Sequence, residues 1–87
     1  MITVYTTPAC PQCMMTKKFL DLRGTPYLAV DLTDNDTARA LVMDTLGYRA
    51  APVVTVTNNT GDIIQHFNGF RPDLLAEHTP TTEGAAA

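Results

Sequence analysis

Eighty-seven residues, 45% of them apolar and 17% charged, make the composition of one ordinary globular domain, which at this size buries only roughly 60% of the surface its unfolded chain exposes. A formal net charge of −3, with no block of Lys or Arg, argues against a nucleic-acid partner. No apolar run approaches the ~20 residues that cross a bilayer, and Met1 leads into a strand without a basic or long apolar leader, so a soluble cytoplasmic protein that does not meet the membrane is expected.

Ile2 to Tyr5 is a short β-rich run that Thr6-Thr7-Pro8-Ala9 breaks into a loop. From Cys10 to Arg23, apolar residues recur near helical spacing at Cys13, Met14 or Met15, Phe19, Leu20 and Leu22. Pro11 suits the first turn, where its missing N–H costs nothing, and Gly24 suits the stop. Thr25-Pro26 turns the chain into a second strand, Tyr27 to Val30. Asp34-Asn35-Asp36 offers N-caps and acidic residues for a helix start, with Ala38, Leu41, Val42, Thr45 and Leu46 as the buried stripe of a helix ending near Gly47. Pro52 to Thr57 is a third strand and Asp62 to Phe67 a fourth, joined by the hairpin turn Asn58-Asn59-Thr60-Gly61. Pro72 at a first-turn position, with Asp73 beside it, opens a last helix to about His78, where Phe70 can staple onto Leu75.

The order β-α-β-α-β-β-α predicts an α/β fold with a four-stranded mixed sheet and three helices on its two faces. The first β-α-β unit gives a parallel pair and the closing hairpin an antiparallel one. Residues 1–78 form a single domain in this reading. Residues 79–87, small, polar and aperiodic, read as a flexible tail.

The chain's two cysteines lie in Cys10-Pro11-Gln12-Cys13, just after a strand and at a helix start. There the unpaired N–H groups and the positive end of the dipole stabilise a thiolate on Cys10, the species that attacks disulfides. Cys13, one turn deeper, faces Cys10 and is the more shielded thiol, as a resolving group should be. Other uses of the pair fit less well. Zinc needs about four ligands, and His66 and His78 have no paired spacing; haem attachment needs His after the second cysteine, where Met14 stands. A purely structural disulfide belongs to secreted miniproteins.

Around the pair, Gln12 and Met14 line the rim, with Gln12 pointing outward from an exposed first turn. Thr6 and Thr7 are placed to hydrogen-bond near the thiols or to cap the loop. Met15 and Met43 read as core filler, Tyr48 as a half-buried flank of the Pro52 loop, and His66 and His78 as surface residues. Gly69-Phe70-Arg71-Pro72-Asp73 reads as a loop and helix cap, in which Arg71 anchors the loop by charge-assisted hydrogen bonds. It is also compatible with partner recognition, with Phe67 or Phe70 exposed beside the cysteines.

A strand, then Thr7-Pro8-Ala9-Cys10-Pro11-Gln12-Cys13 opening a helix, then Ala51-Pro52-Val53-Val54 before a hairpin, resembles the thioredoxin superfamily in its minimal glutaredoxin-sized form, over about residues 1–78. The closer resemblance is to the NrdH-redoxin family. His66-Phe67-Asn68-Gly69-Phe70-Arg71-Pro72-Asp73 is similar to that family's H-W-S-G-F-R-P-D, with Phe67 for Trp and Asn68 for Ser, and Gln12 matches its C-x-Q-C. The resemblance implies a thiol–disulfide oxidoreductase that donates electrons to a class Ib ribonucleotide reductase. It would be re-reduced by thioredoxin reductase with NADPH, as a monomer without bound cofactor or metal.

In that family's terms Cys10 is the nucleophile and Cys13 the resolving thiol. Pro52 is a cis-proline beside them, leaving the Ala51 backbone to pair with an extended substrate segment. Pro11, Gln12, Phe67, Gly69, Phe70 and Arg71 complete the partner-binding set. A glutathione-dependent glutaredoxin is the alternative, because Cys-Pro-x-Cys is itself glutaredoxin-like. Glutaredoxins usually carry Tyr or Phe inside that motif, a T-V-P loop, and a G-G turn before an acidic residue. Here those places hold Gln12, Ala50-Ala51-Pro52 and Asn68-Gly69-Phe70. A further alternative is a module that holds a metal or iron–sulfur cluster between two subunits through its CxxC.

Overall fold

The computed structural model describes residues 1–79. Strand β1 (Ile2–Thr6) is buried at every position, so it needs cover on both faces of its sheet. It pairs in parallel with β2 (Tyr27–Asp31) and antiparallel with β3 (Val53–Thr57). β3 in turn pairs antiparallel with β4 (Ile63–Asn68), giving the mixed order β2-β1-β3-β4. Because side chains alternate along a strand, the sheet makes two cores. Ile2, Val4, Val54, Val56 and Phe67 meet Leu20 and Leu75 on one face, whereas Tyr5 and Val53 meet Leu32, Ala38 and Val42 on the other.

Helix α1 (Pro11–Leu22) lies on the first face and buries Cys13, Thr16 and Leu20, an i, i+3, i+7 stripe. That phase differs from the one expected. Thr16 is fully buried, with its hydroxyl donating to the Gln12 carbonyl at 2.9 Å, while Met14, Met15 and Leu22 face outward. Met15 at 50% exposure and Met43 at 42% are therefore not core filler. A buried threonine that bonds its own helix backbone has no sequence signature distinguishing it from a surface one.

The second face is covered by a 3₁₀ turn (Leu32–Asp34) and helix α2 (Asp36–Ala40). Asn35 caps α2, its side-chain oxygen accepting the Ala38 N–H at 2.9 Å. The expected uniform helix instead widens into a π turn over Leu41–Thr45. Leu46 N–H reaches back to the Leu41 carbonyl at 2.9 Å, and Tyr48 N–H closes onto Val42 O at 2.9 Å. Val42 stays buried and Leu41 and Leu46 are half-buried, but Thr45 faces solvent rather than the core.

Helix α3 (Pro72–His78) packs beside α1 through Leu75. Thr79, assigned to the tail by composition, is fully buried. Its hydroxyl donates to Leu75 O at 2.6 Å, and its carbonyl accepts from Arg23 Nη1 at 3.2 Å. The packed structure thus runs through Thr79, and the remaining tail, residues 80–87, lies outside the described residues.

Phe67 also departs from expectation. At 5% exposure it is part of the core beneath the sheet, not an exposed partner contact. Its place on β4, opposite Val54, points it to the α1 and α3 face. Phe67→Ala should therefore cost about 3–5 kcal/mol in chemical denaturation, whereas Met15→Ala should stay within about 0.5 kcal/mol. A Phe67→Ala variant as stable as the parent would contradict this placement.

Candidate active site

The antiparallel pairing of β1 with β3 and of β3 with β4 brings three chain segments to one end of the sheet. Tyr5 lies opposite Val53, and Val53 opposite Asn68. The segment leaving β1, the segment entering β3 and the segment leaving β4 are consequently neighbours. These carry Cys10 to Cys13, Ala50 to Pro52, and Asn68 to Arg71.

The first segment turns from strand to helix at Ala9, which adopts φ 55°, the left-handed region. For a non-glycine residue that conformation costs roughly 1–2 kcal/mol. It lets Cys10, in extended geometry at φ −113°, act as the N-cap of α1. Cys10 and Cys13 are joined as a disulfide, with their Cα atoms 5.2 Å apart. Cys13 is only 2% exposed, while Cys10 is partly exposed. The Cys13 N–H points at Cys10 Sγ at 3.1 Å. That donor and the first-turn N–H groups are aligned to stabilise negative charge on Cys10 once the disulfide opens. A reachable sulfur backed by a shielded one is the arrangement that thiol–disulfide exchange requires.

The second and third segments are stitched together by backbone and side-chain bonds. The Ala51–Pro52 peptide is cis and Pro52 is buried. The Pro52 carbonyl accepts the Gly69 N–H at 2.8 Å and the Asn68 Nδ2 amide at 3.2 Å. The same amide donates to Ala50 O. Gly69 has φ 86°, which its missing Cβ permits. The first and third segments are joined by Gln12, whose Oε1 accepts the Phe70 N–H at 3.0 Å. Gln12 is exposed, as expected, but it reaches across the site instead of standing free in solvent.

Phe70 is half-buried and packs edge-to-face on Phe19, centroids 6.2 Å apart. Arg71 anchors the loop as expected, through a two-point pairing with Asp73: Nε to Oδ1 at 3.2 Å and Nη2 to Oδ2 at 2.9 Å. Pro11 is exposed beside the disulfide and Ala51 is half-buried at the loop. On the α2 side, a groove of about 300 Å³ runs from Thr7 and Ala51 to Tyr48, Arg39 and Arg49. Tyr48 Oη shares a 2.8 Å hydrogen bond with His66 Nδ1. Among the described residues, no group of three or more His, Cys, Asp or Glu side chains gathers to hold a metal ion, and no helix is long and apolar enough to cross a membrane.

Three contributors escaped the sequence reading. Ala9 carries no signal, because alanine is not a residue from which positive φ is inferred. The Asn68 amide clamp and the Tyr48–His66 pair join positions eighteen apart in sequence, a separation that no local pattern reports. The polar character of Asn68 at a strand end was the one available hint.

A glutaredoxin family model matches residues 2–60. The chain is 41% identical over 76 residues to the gene 56 protein of Mycobacterium phage D29, covering 87% of this chain and 79% of that one. It is 38% identical over 90 residues to the glutaredoxin-like protein NrdH of Salmonella typhimurium, covering 99% of this chain and 98% of that one. The solved structure of the glutaredoxin-like protein NrdH-redoxin from Escherichia coli matches with a TM-score of 0.74 at 30% identity, covering 92% of this chain and 96% of that one.

The Arg71 hydrogen bonds hold the Asp73 carboxyl below the usual aspartate range. A depressed folded pKa makes the pairing complete above the ordinary value of about 3.9, and the pairing is lost as pH falls through the lower folded value. The loop anchor should therefore be constant across neutral pH. An NMR titration should place the Asp73 midpoint below that of the same carboxyl in Arg71→Leu, and equal midpoints would rule the pairing out.

Proposed function

This chain belongs to the glutaredoxin family and is a thiol–disulfide oxidoreductase, and we propose that it serves as a cytoplasmic, monomeric dithiol carrier. In this reading it reduces a class Ib ribonucleotide reductase and is re-reduced by thioredoxin reductase with NADPH. The observation that carries the redox reading is the Cys10–Cys13 disulfide at the N-terminus of α1, with one sulfur reachable and the other buried.

The cycle follows from that asymmetry. In the reduced protein, the Cys10 thiolate attacks one sulfur of a substrate disulfide, forming a mixed disulfide and expelling the other substrate sulfur as a thiolate. Cys13, deprotonated, then attacks Cys10 Sγ. The second substrate thiol leaves and the Cys10–Cys13 disulfide forms. Two electrons pass to the substrate, and the structure corresponds to the oxidised end of the cycle. The reductase returns two electrons by the reverse exchange. Shielding of Cys13 keeps it from competing for external disulfides, while its place one turn away makes its attack on Cys10 effectively intramolecular.

Several features support thioredoxin reductase over glutathione as the electron source. Relatives named NrdH match over almost the whole chain, and the Escherichia coli relative is a glutaredoxin-like protein with a thioredoxin-like activity profile. The Asn68-Gly69-Phe70 turn lacks the second glycine and acidic residue of the glutathione-binding pattern. Its Phe70 N–H is already occupied by Gln12. The Ala51 backbone and the exposed edge at Pro11 then serve as the surface on which an extended protein segment would lie, and Arg71 holds the loop beside it.

A coupled disulfide-reduction assay decides the electron source. NADPH with thioredoxin reductase should support turnover, and NADPH with glutathione and glutathione reductase should support far less; turnover with the glutathione system alone would overturn the proposal. The roles of the thiols are separately testable. Cys10→Ser should abolish turnover, and Cys13→Ser should accumulate a mixed disulfide with a target, visible by non-reducing electrophoresis. If Cys13 alkylates faster than Cys10 at neutral pH in the reduced protein, the two roles are reversed.

A further inference from the structure

Gln12 stands between the two cysteines, and its side chain is the hydrogen-bonded link from their turn to the loop after β4. Its Oε1 accepts the Phe70 N–H at 3.0 Å. Two helical turns along the same face of α1, Phe19 holds the Phe70 ring edge-to-face. From behind, Gly69 N–H is fixed on Pro52 O at 2.8 Å. The fit at Gly69 is close: a Cβ there would lie 3.3 Å from Gln12 Oε1. The loop is thus fastened to α1, to the cis-proline segment and to the dithiol turn, and Gln12 makes the last of these attachments.

We propose that Gln12 is a positioning residue, whose amide carbonyl sets the Gly69–Arg71 segment relative to Cys10 so that a docking protein disulfide meets a preformed rim. The inference rests on the reading of the chain as a reductant of protein disulfides. A loop ordered before binding spares the complex the cost of ordering it. The effect therefore belongs to KM for a partner large enough to touch the loop. A small disulfide, which engages little beyond Cys10 Sγ, should not register it. Since the Phe70 N–H lies in an exposed hydrogen bond, water replaces Gln12 when the acceptor is removed, and the fold persists.

The test compares the parent, Gln12→Met, which keeps length without an acceptor, and Gln12→Glu, which keeps an acceptor oxygen. Insulin serves as the protein disulfide, cystine as the small one, and dithiothreitol as electron source. Gln12→Met should raise KM for insulin about fivefold with kcat and the cystine rate constant within about twofold, the scale expected of one ordinary hydrogen bond. Amide hydrogen exchange at Phe70 should accelerate in Gln12→Met, and Gln12→Glu should return both KM and exchange toward the parent. An unchanged insulin KM in Gln12→Met, an equal loss with insulin and cystine, or a Gln12→Glu variant indistinguishable from Gln12→Met would each overturn the inference. A parent protein that reduces cystine but not insulin would instead overturn the reading on which the inference rests.

Discussion

The burial of β1 on both faces is the constraint on which the rest of the structure depends. Its five residues are all buried, so helices must cover the sheet on each side, and the strand must sit inside the sheet rather than at an edge. The helices on the two faces satisfy the first demand, and placing β1 between β2 and β3 satisfies the second. It also decides where the chain emerges. The segment leaving β1 turns through residues 7–10 into α1, which packs back on the same strand through Leu20. The cysteines ride on that turn.

The antiparallel partners of the sheet then determine what surrounds them. β3 enters beside the exit of β1, and β4 leaves beside the entry of β3. Loops far apart in sequence therefore meet at the disulfide, where a small set of hydrogen bonds holds them. Asn68 clamps the Ala50 and Pro52 carbonyls, Gly69 pairs with Pro52, and Gln12 takes the Phe70 N–H. Most of these are bonds to backbone, which hold loop positions with little dependence on the charges that a partner or the solvent brings. Arg71 and Asp73 form an exposed ion pair beside them, worth little to global stability but well shaped to hold the loop in one geometry.

Chemistry and packing are divided between two faces of α1. Cys13, Thr16 and Leu20 belong to the core, while Pro11, Gln12, Met14 and Met15 face outward. The reacting sulfur sits at the junction, at the N-cap. Reactivity there draws on the helix terminus and on the Cys13 N–H that points at Cys10 Sγ. The left-handed Ala9 is the local cost of that placement. It is a strained residue next to a functional one, held there by the helix it helps to start.

Sequence by itself determined the elements, their order and the chemistry of the dithiol. Strand runs, Pro11 and Pro72 at helix starts, Gly24 at a stop and the Asn58–Gly61 turn are local signals, and each reports a local conformational preference. Cys10 at a helix start is legible for the same reason. What depended on the phase of a helix was only partly legible: Thr16 in the core, Met15 outside and the π turn after Ala40 turn on which face meets the sheet, a matter of packing more than of composition. Phe67 shows the same limit, since an aromatic residue in a strand is read as buried or exposed only once its neighbours are known. The site's cross-links, Gln12 to Phe70 and Asn68 to Ala50 and Pro52, were decided by tertiary structure alone. They join residues that no periodicity relates, brought together because the antiparallel pairing of β3 with β1 and with β4 sets those strand ends side by side.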